Sequence, residues 1–225
     1  MFLLVDKPKG LTSHDVIDRV REVTGEKKVG HAGTLDPNAT GLLIVGVGRD
    51  STRMLGGLSK ETTKEYVAEV VLGEERDTDD IEGKVITEYI GKEPSGKTVN
   101  NTLSKFLGEQ EQKPPVYSAI KLKGKKAYQL ARKGKIPNLK PRKVTVYNIK
   151  LLKYEYPKLA FICLVSSGTY IRSLAKDIGK KLLTGAYLEN LRRTKIGKYS
   201  VSGAISLENL NSGNWKEKVI TIKMT

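Results

Sequence analysis

The stretch Gly30-His31-Ala32-Gly33-Thr34-Leu35-Asp36-Pro37-Asn38-Ala39-Thr40-Gly41-Leu42-Leu43 is the part of the sequence around which the rest of the chain is organised. It places an imidazole, His31, and a carboxylate, Asp36, among small residues and just ahead of an apolar run. Gly33 permits backbone angles that other residues avoid, and Pro37 fixes the φ angle directly after Asp36. A turn stiffened in this way is typical either of a solvated loop or of a positioned reactive group.

The composition of the chain restricts its function classes. Its 225 residues include 40 Lys and Arg against 25 Asp and Glu, a formal net charge of +15. Such an excess points to a polyanionic partner, either nucleic acid or an acidic membrane surface. No apolar run approaches the roughly 20 residues of a membrane span, and Met1 to Val5 meets Asp6 too soon for a signal peptide. Cys163 is the only cysteine, which excludes an intrachain disulfide and fits a reducing cytoplasm.

The inventory of reactive side chains is small. Two histidines and one cysteine leave no cluster of soft metal ligands, so no metal site is predicted. The sequence also lacks the Gly-x-Ser-x-Gly elbow of many hydrolases. Any catalysis must therefore depend on carboxylate, tyrosine, arginine or lysine side chains.

Hydrophobic periodicity predicts regular elements on both sides of the opening stretch. Phe2 to Asp6 is typical of a buried strand, and Thr12 with Asp15 forms the capping-box pattern of a helix that ends at Gly25. Leu42 to Val47 predicts a central strand. Further strands are predicted over Glu65 to Leu72, Lys84 to Ile90, Arg142 to Tyr154 and Leu159 to Val165, the last two as a hairpin across the Tyr156-Pro157 turn. Helices are predicted over Val99 to Leu107 and from Thr169 onward.

Gly91 to Thr98 matches the pattern of a nucleotide-binding P-loop. Glu93 opposes that interpretation, because it would place a negative charge in a loop that binds anions. Beyond Leu107 the chain also lacks the regular alternation of strands and helices that a parallel sheet needs. The sequence therefore favours a polar loop in which Thr98 is a helix N-cap.

Basic residues crowd the stretch from Lys121 to Lys135, and further basic runs lie at Lys140 to Lys143 and Arg192 to Lys195. A charge run is usually only a solvated face. Here Tyr117 and Tyr128 accompany the first run, as stacking on bases and contact with phosphates would require. These stretches predict a nucleic-acid surface.

Several stretches, in the same order along the chain, resemble the TruB-type pseudouridine synthases, which isomerise a uridine in the T loop of tRNA. They are Asp6 to Gly10 with Thr12-Ser13, Gly30 to Gly41, Lys64 to Tyr66, Thr78 to Gly83, Gln112 to Gly134, Gly168 to Arg172 and Tyr187 to Thr194. The resemblance implies an α/β (α+β) fold with a mixed, mostly antiparallel bent sheet flanked by helices. It also implies a catalytic domain over residues 1–205, followed at 206–225 by a short tail without the PUA-type domain of longer synthases.

The resemblance implies roles for individual residues as well. Asp36 would act as nucleophile or abstract a proton from the sugar, and Arg172 would pair with it and favour its charged form. His31 would fill the space left by the extruded uridine, and Tyr66 would stack on the base. The remaining binding residues are Tyr170 and Leu191, which would wall the pocket, and Lys64, Lys121, Arg132 and Arg192, which would contact the RNA.

The implied reaction has no redox step, so neither cofactor nor metal is expected. The expected partner is the T-arm stem-loop of tRNA, with no membrane and no obligate protein partner, in the cytoplasm. Two alternatives stay open beside it. A non-catalytic RNA-binding module would explain the charge but not Asp36, and guide-RNA-dependent, dyskerin-like synthases share the loop but normally work with protein partners.

Overall fold

The computed structural model describes residues 1–118, 120–122, 124–131, 134–135 and 137–222. The chain forms two compact units. Unit 1 comprises Met1–Val67 together with the chain from Leu191 onward, and unit 2 comprises Ala68–Asn190. The expected mixed α/β fold with a mostly antiparallel sheet is confirmed.

The described helices and strands follow one another without a repeating pattern. In chain order they are β1 (Phe2–Lys7), α1 (Ser13–Thr24), β2 (Val29–His31), β3 (Thr40–Val47), α2 (Arg49–Glu61), β4 (Lys64–Leu72), β5 (Glu74–Arg76), β6 (Val85–Glu88), α3 (Gly96–Ser104), β7 (Gly108–Gln112), β8 (Lys121–Leu122), β9 (Lys125–Lys126), α4 (Ala127–Ala131), β10 (Arg142–Glu155), β11 (Lys158–Val165), α5 (Ile171–Leu182), β12 (Ala186–Ile196), β13 (Tyr199–Ser200), β14 (Ile205–Ser206) and β15 (Val219–Ile220).

Unit 1 is built on the strand order β14-β1-β3-β12-β4, to which β12 contributes residues 191–196 and β4 residues 64–67. β1 pairs antiparallel with β3, and β3 pairs in parallel with β12. Successive residues of a strand point to opposite faces, and here both faces are covered. Leu3 and Leu43 pack into the core cluster that includes α1, whereas Leu4 and Leu42 pack into the cluster that includes α2. The near-continuous apolar runs of β1 and β3 follow from this double burial.

The capping box predicted at the start of α1 is confirmed. The Thr12 hydroxyl accepts a hydrogen bond from the Asp15 backbone N–H, and the Asp15 carboxylate accepts one from the Thr12 N–H. Gly25 ends the helix with a φ of 72°. Ser13, the first helical residue, follows this cap and contacts the loop between β2 and β3.

Unit 2 has the strand order β12-β4-β11-β10-β7, with residues 186–190 of β12 and 68–72 of β4. The predicted hairpin of β10 and β11 is confirmed, and α3 packs against β10 and α5. Two predicted helix caps were wrong. α5 has Tyr170 at its N-cap, while the Thr169 hydroxyl bonds the Ser166 carbonyl. In α3 the cap is Ser95, whose hydroxyl accepts from the Thr98 N–H.

The surroundings of Gly91 to Thr98 differ from those of a P-loop. The strand before it, β6, pairs antiparallel with β5 in a separate two-stranded sheet. A P-loop instead follows a strand of a parallel sheet. The interpretation as a polar loop ahead of a helix is confirmed.

Candidate active site

The carboxylate of Asp36 lies on the loop between β2 and β3, in unit 1. The two strands pair antiparallel, with His31 opposite Val45. Between them the chain buries Leu35 and Ala39 and leaves Asp36 half-buried. The apolar residues on both sides of Asp36 therefore anchor the loop in the protein.

Hydrogen bonds fix the backbone on each side of Asp36. The buried Ser13 hydroxyl accepts from the Leu35 N–H at 2.8 Å and donates to the Leu35 carbonyl at 3.0 Å. On the other side, the Pro37 carbonyl accepts from the Gly10 N–H at 2.9 Å and from the Lys7 ammonium at 3.1 Å. The loop is thus held by residues from the end of β1 and the start of α1.

Arg193, on β12, bonds the chain on both sides of Asp36, at Gly33 within the loop and at Leu42 within β3. Its Nε donates to the Leu42 carbonyl at 2.7 Å, and its Nη2 donates to the Gly33 carbonyl at 3.1 Å. Arg193 also pairs with Gly41 across the parallel strands. Gly41 has a φ of 103°, and a Cβ there would lie 2.8 Å from the Arg193 backbone nitrogen and closer still to its carbonyl oxygen. Only glycine permits this approach.

The described cations around the loop are unusually buried. Burial lowers the pKa of Lys7 to about 8, although the nearby Asp36 carboxylate raises it. Burial and the charge of Arg193 lower the pKa of Lys64 to about 8 as well. The pKa of His31 is lowered by burial and then by Arg193, so the neutral imidazole is favoured.

Unit 1 contains several of the other predicted site residues. Tyr66 is buried on β4, and Leu191 is half-buried on β12. The Lys64 ammonium donates to the backbone carbonyls of Ser59 and Thr62. The Arg192 guanidinium binds both Asp6 carboxylate oxygens, at 3.1 and 2.7 Å.

Unit 2 contains Tyr170 and Arg172. Arg172, 6% exposed, occupies the first turn of α5. A cation there opposes the helix dipole, which predicts an anion nearby. That anion is present within unit 2: Asp80 Oδ2 lies 3.3 Å from Arg172 Nη1. The Thr78 and Tyr117 carbonyls accept two further hydrogen bonds from the guanidinium, at 3.2 and 2.8 Å.

The acidic turn at Thr78 to Gly83 forms ion pairs with two residues of α5. Asp79, 8% exposed with a φ of 61°, forms a 2.8 Å ion pair with Lys176, one turn beyond Arg172 on α5. Burial raises the pKa of Asp79, and the Lys176 ammonium opposes that shift. The sequence did not identify Asp80 as a partner of Arg172. The only indication was that the turn Thr78 to Gly83 is one of the stretches that resemble the family.

Tyr170 is held through its backbone. Its N–H donates to the Gln112 side-chain oxygen at 2.8 Å, and its carbonyl accepts from the Gln112 amide nitrogen at 3.0 Å. Two predicted RNA contacts cannot be placed in the same way, because Arg132 and the side chain of Lys121 lie outside the described residues.

The described part of the chain contains no group of three or more His, Cys, Asp or Glu arranged to hold a metal ion. None of its helices combines the length and the apolar character needed to cross a membrane.

Comparison with known proteins gives the same family along nearly the whole chain. Residues 21–171 match the TruB family pseudouridylate synthase N-terminal domain, and residues 172–222 match the tRNA pseudouridylate synthase B C-terminal domain. The tRNA pseudouridine synthase B of Aquifex aeolicus is 46% identical over 98% of this chain and 77% of the relative. That of Clostridium tetani is 45% identical over 96% of this chain and 74% of the relative.

A solved structure agrees with these matches. One chain of a Cbf5-Nop10-Gar1 complex is 32% identical and superposes with a TM-score of 0.72. The match covers 98% of this chain and 56% of the solved one, so the present chain spans just over half the length of that relative.

Proposed function

The chain belongs to the TruB family of pseudouridylate synthases, and from this membership we propose that it converts a T-loop uridine of tRNA, position 55, to pseudouridine. The family reaction is an isomerisation of uridine in tRNA, so the substrate class follows from the family. The observation that carries the proposal to this chain is the place of Asp36 on a loop whose backbone is hydrogen-bonded on both sides, at Leu35 and at Pro37. In this proposal residues 1–205 form the catalytic part.

The isomerisation exchanges one bond to the sugar for another. The C1′–N1 bond breaks, the uracil turns, and C5 joins C1′; the proton on C5 leaves and N1 gains one. Asp36 acts on the sugar, either as the nucleophile at C1′ or as the base that removes a sugar proton. Both routes need an ionised oxygen in a fixed place, which a loop held on both sides provides.

The charge of Asp36 needs a cation beside it, and we assign Arg172 to that role. Asp80 and two backbone carbonyls support the guanidinium of Arg172, which is buried. A guanidinium can serve two carboxylates at once because it has five N–H donors in a planar fork. The pairing with Asp36 thus leaves the bond to Asp80 in place.

The target uridine must leave its folded loop before it can react. Extrusion costs a few kcal/mol, which contacts with the flipped base must offset. Stacking of Tyr66 on the uracil contributes roughly 1–3 kcal/mol. A neutral His31 suits the vacated space, since burial and Arg193 lower its pKa. Tyr170 and Leu191 wall the pocket, while Lys121, Arg132 and Arg192 contact the RNA. Lys64, also expected to contact the RNA, is 5% exposed with its ammonium on two backbone carbonyls, so it supports the fold beside the site instead.

The test uses an Asp36→Ala variant and an Asp36→Asn variant with a T-stem-loop RNA. We expect both variants to bind the RNA as the wild type does and to form no detectable pseudouridine, because the carboxylate is needed for chemistry rather than for affinity. Pseudouridine formation by either variant would contradict the role of Asp36. A wild type that binds the RNA and forms no product would support the non-catalytic RNA-binding module instead.

The same assay tests independence from partners and from guide RNA. The chain alone is expected to be active with bare tRNA as substrate. In the cell, we expect the protein in the cytoplasm. Activity only after a guide RNA or partner proteins are added would place the chain with the dyskerin-like synthases.

A further inference from the structure

Among the described residues, the largest side chain that is almost wholly buried is a charged one, Arg193, at 1% exposure. Its neighbour on β12, Arg192, has a side chain 43% exposed and paired with Asp6. Successive residues of a strand point to opposite faces, so one arginine of the pair is directed inward. Arg193 is therefore unavailable to phosphates, which corrects the prediction that the whole run Arg192 to Lys195 binds them.

A buried guanidinium is costly unless its N–H groups are bonded, and the partners of Arg193 are specific. It donates to the carbonyls of Gly33 and Leu42, which are the first and last residues of one short segment. Asp36 lies within that segment. The rigid fork of a guanidinium fixes the distance between two acceptors, which the single ammonium of a lysine does not.

We propose that Arg193 is a positioning residue for the isomerisation: by joining Gly33 to Leu42 it fixes the span of the loop that presents Asp36. This inference rests on the proposed function, because it assigns the loop the task of placing the reactive carboxylate. Ser13 and Lys7 hold the middle of the loop. Arg193 joins Gly33, near the start of the loop, to Leu42, in the strand that follows it.

The experiment uses an Arg193→Lys variant of the full chain, which replaces the guanidinium by an ammonium and keeps the positive charge. The matched control is Val20→Ala, a truncation in the core cluster that includes α1. Both variants are assayed on T-stem-loop RNA at a temperature where circular dichroism shows them folded. Amide hydrogen exchange is then measured by mass spectrometry on peptides that cover residues 33–42.

For Arg193→Lys we expect kcat to fall about 100-fold, as a small displacement of a reactive group does, with KM within about twofold of the wild type. Exchange in residues 33–42 should become about tenfold faster, while α2 and unit 2 are unchanged. Val20→Ala should keep both the wild-type kcat and the wild-type exchange of this segment.

An unchanged kcat together with unchanged exchange in Arg193→Lys would overturn the inference. So would equal effects of Arg193→Lys and Val20→Ala, or a variant that fails to fold, since both outcomes would assign Arg193 to general stability. Arg193→Gln, whose one amide nitrogen replaces the two guanidinium nitrogens that bond the Leu42 and Gly33 carbonyls, gives a second measurement. If the wild type itself forms no pseudouridine, the proposed function fails, but the exchange experiment still tests the positioning.

Discussion

An ammonium group has three N–H bonds, and Lys7 uses them on three backbone carbonyls. The acceptors are Pro8 at 2.9 Å, Leu11 at 2.6 Å and Pro37 at 3.1 Å. Burial lowers the pKa of Lys7 to about 8 against the opposing effect of Asp36. When the Lys7 ammonium loses a proton, two N–H donors remain for the three carbonyls. The hydrogen bonding between Lys7 and the Asp36 loop therefore depends on pH just above neutrality.

The effect of Lys7 on stability has a definite sign. Its pKa is about 8 in the folded chain against 10.5 ordinarily, so the folded state holds fewer protons between these values. The free energy of unfolding should therefore rise from pH 8 to pH 10. Lys7→Met should remove the part of the rise due to Lys7, at most about 3 kcal/mol, as measured by urea unfolding across this range.

The free energy of unfolding of Lys7→Met should still rise somewhat with pH, because a second buried amine, Lys64, also has its pKa lowered to about 8. The control is Lys60→Met, since Lys60 is exposed on α2 and should leave the pH dependence unchanged. A Lys7→Met variant with the same pH dependence as the wild type would show that Lys7 is not the titrating group.

At the scale of elements, the start of α1 gives two neighbouring hydroxyl residues different tasks. Thr12 caps the helix together with Asp15. Ser13, 2% exposed, makes two hydrogen bonds with the backbone of Leu35, next to Asp36. One residue therefore stabilises the helix, and the next stabilises the loop that carries Asp36.

Alanine substitution separates the two tasks. Thr12→Ala should lower the free energy of unfolding by about 1 kcal/mol, the usual value of a cap, and leave kcat unchanged. Ser13→Ala should lower it by about 1–3 kcal/mol, because the buried Leu35 backbone loses its partners, and should also lower kcat. Thermal unfolding and single-turnover assays measure both quantities. Equal kcat values in the two variants would contradict the role of Ser13.

Elements with one regular buried pattern were predictable from the sequence. β1, α1, β3, β4 and β11 were predicted because their apolar spacing is regular. α2 was missed because it buries few side chains and contains Gly56 and Gly57. β12 was missed because its arginines indicated surface charge.

The contacts that hold the candidate site were less predictable than the residues in it. The turn around Asp36 is typical either of a solvated loop or of a positioned reactive group, and the resemblance to the family selected Asp36. Arg193 was assigned to phosphates because its carbonyl partners lie 151 and 160 residues earlier in the chain. A single sequence shows that a charge is present, but not which distant backbone groups surround it. The pairing of Asp36 with Arg172 stays a prediction.

At the scale of the whole molecule, the net charge of +15 governs the encounter with RNA. Raising NaCl from about 50 to about 300 mM should raise the KM for tRNA at least about tenfold, because each contacted phosphate releases part of a counterion. Steady-state assays over this range measure the effect. A flat response would contradict the predicted phosphate contacts.

Variants locate the surface responsible for the salt dependence. A chain with both Lys140→Gln and Lys143→Gln should show a slope of log KM against log salt that is smaller by about one to two. The control is Arg19→Gln on α1, outside the predicted basic stretches, and its slope should equal that of the wild type.

The bare Cα of Gly41 has a consequence for anyone who surveys variants of this chain. No side chain separates β3 from β12 at this point, so even one methyl group would have to displace main chain rather than a flexible neighbour. The displaced residue would be Arg193, and its displacement would disturb its hydrogen bonds to the Gly33 and Leu42 carbonyls. A Gly41→Ala enzyme should thus resemble a damaged catalyst, although the new methyl group would never meet the RNA.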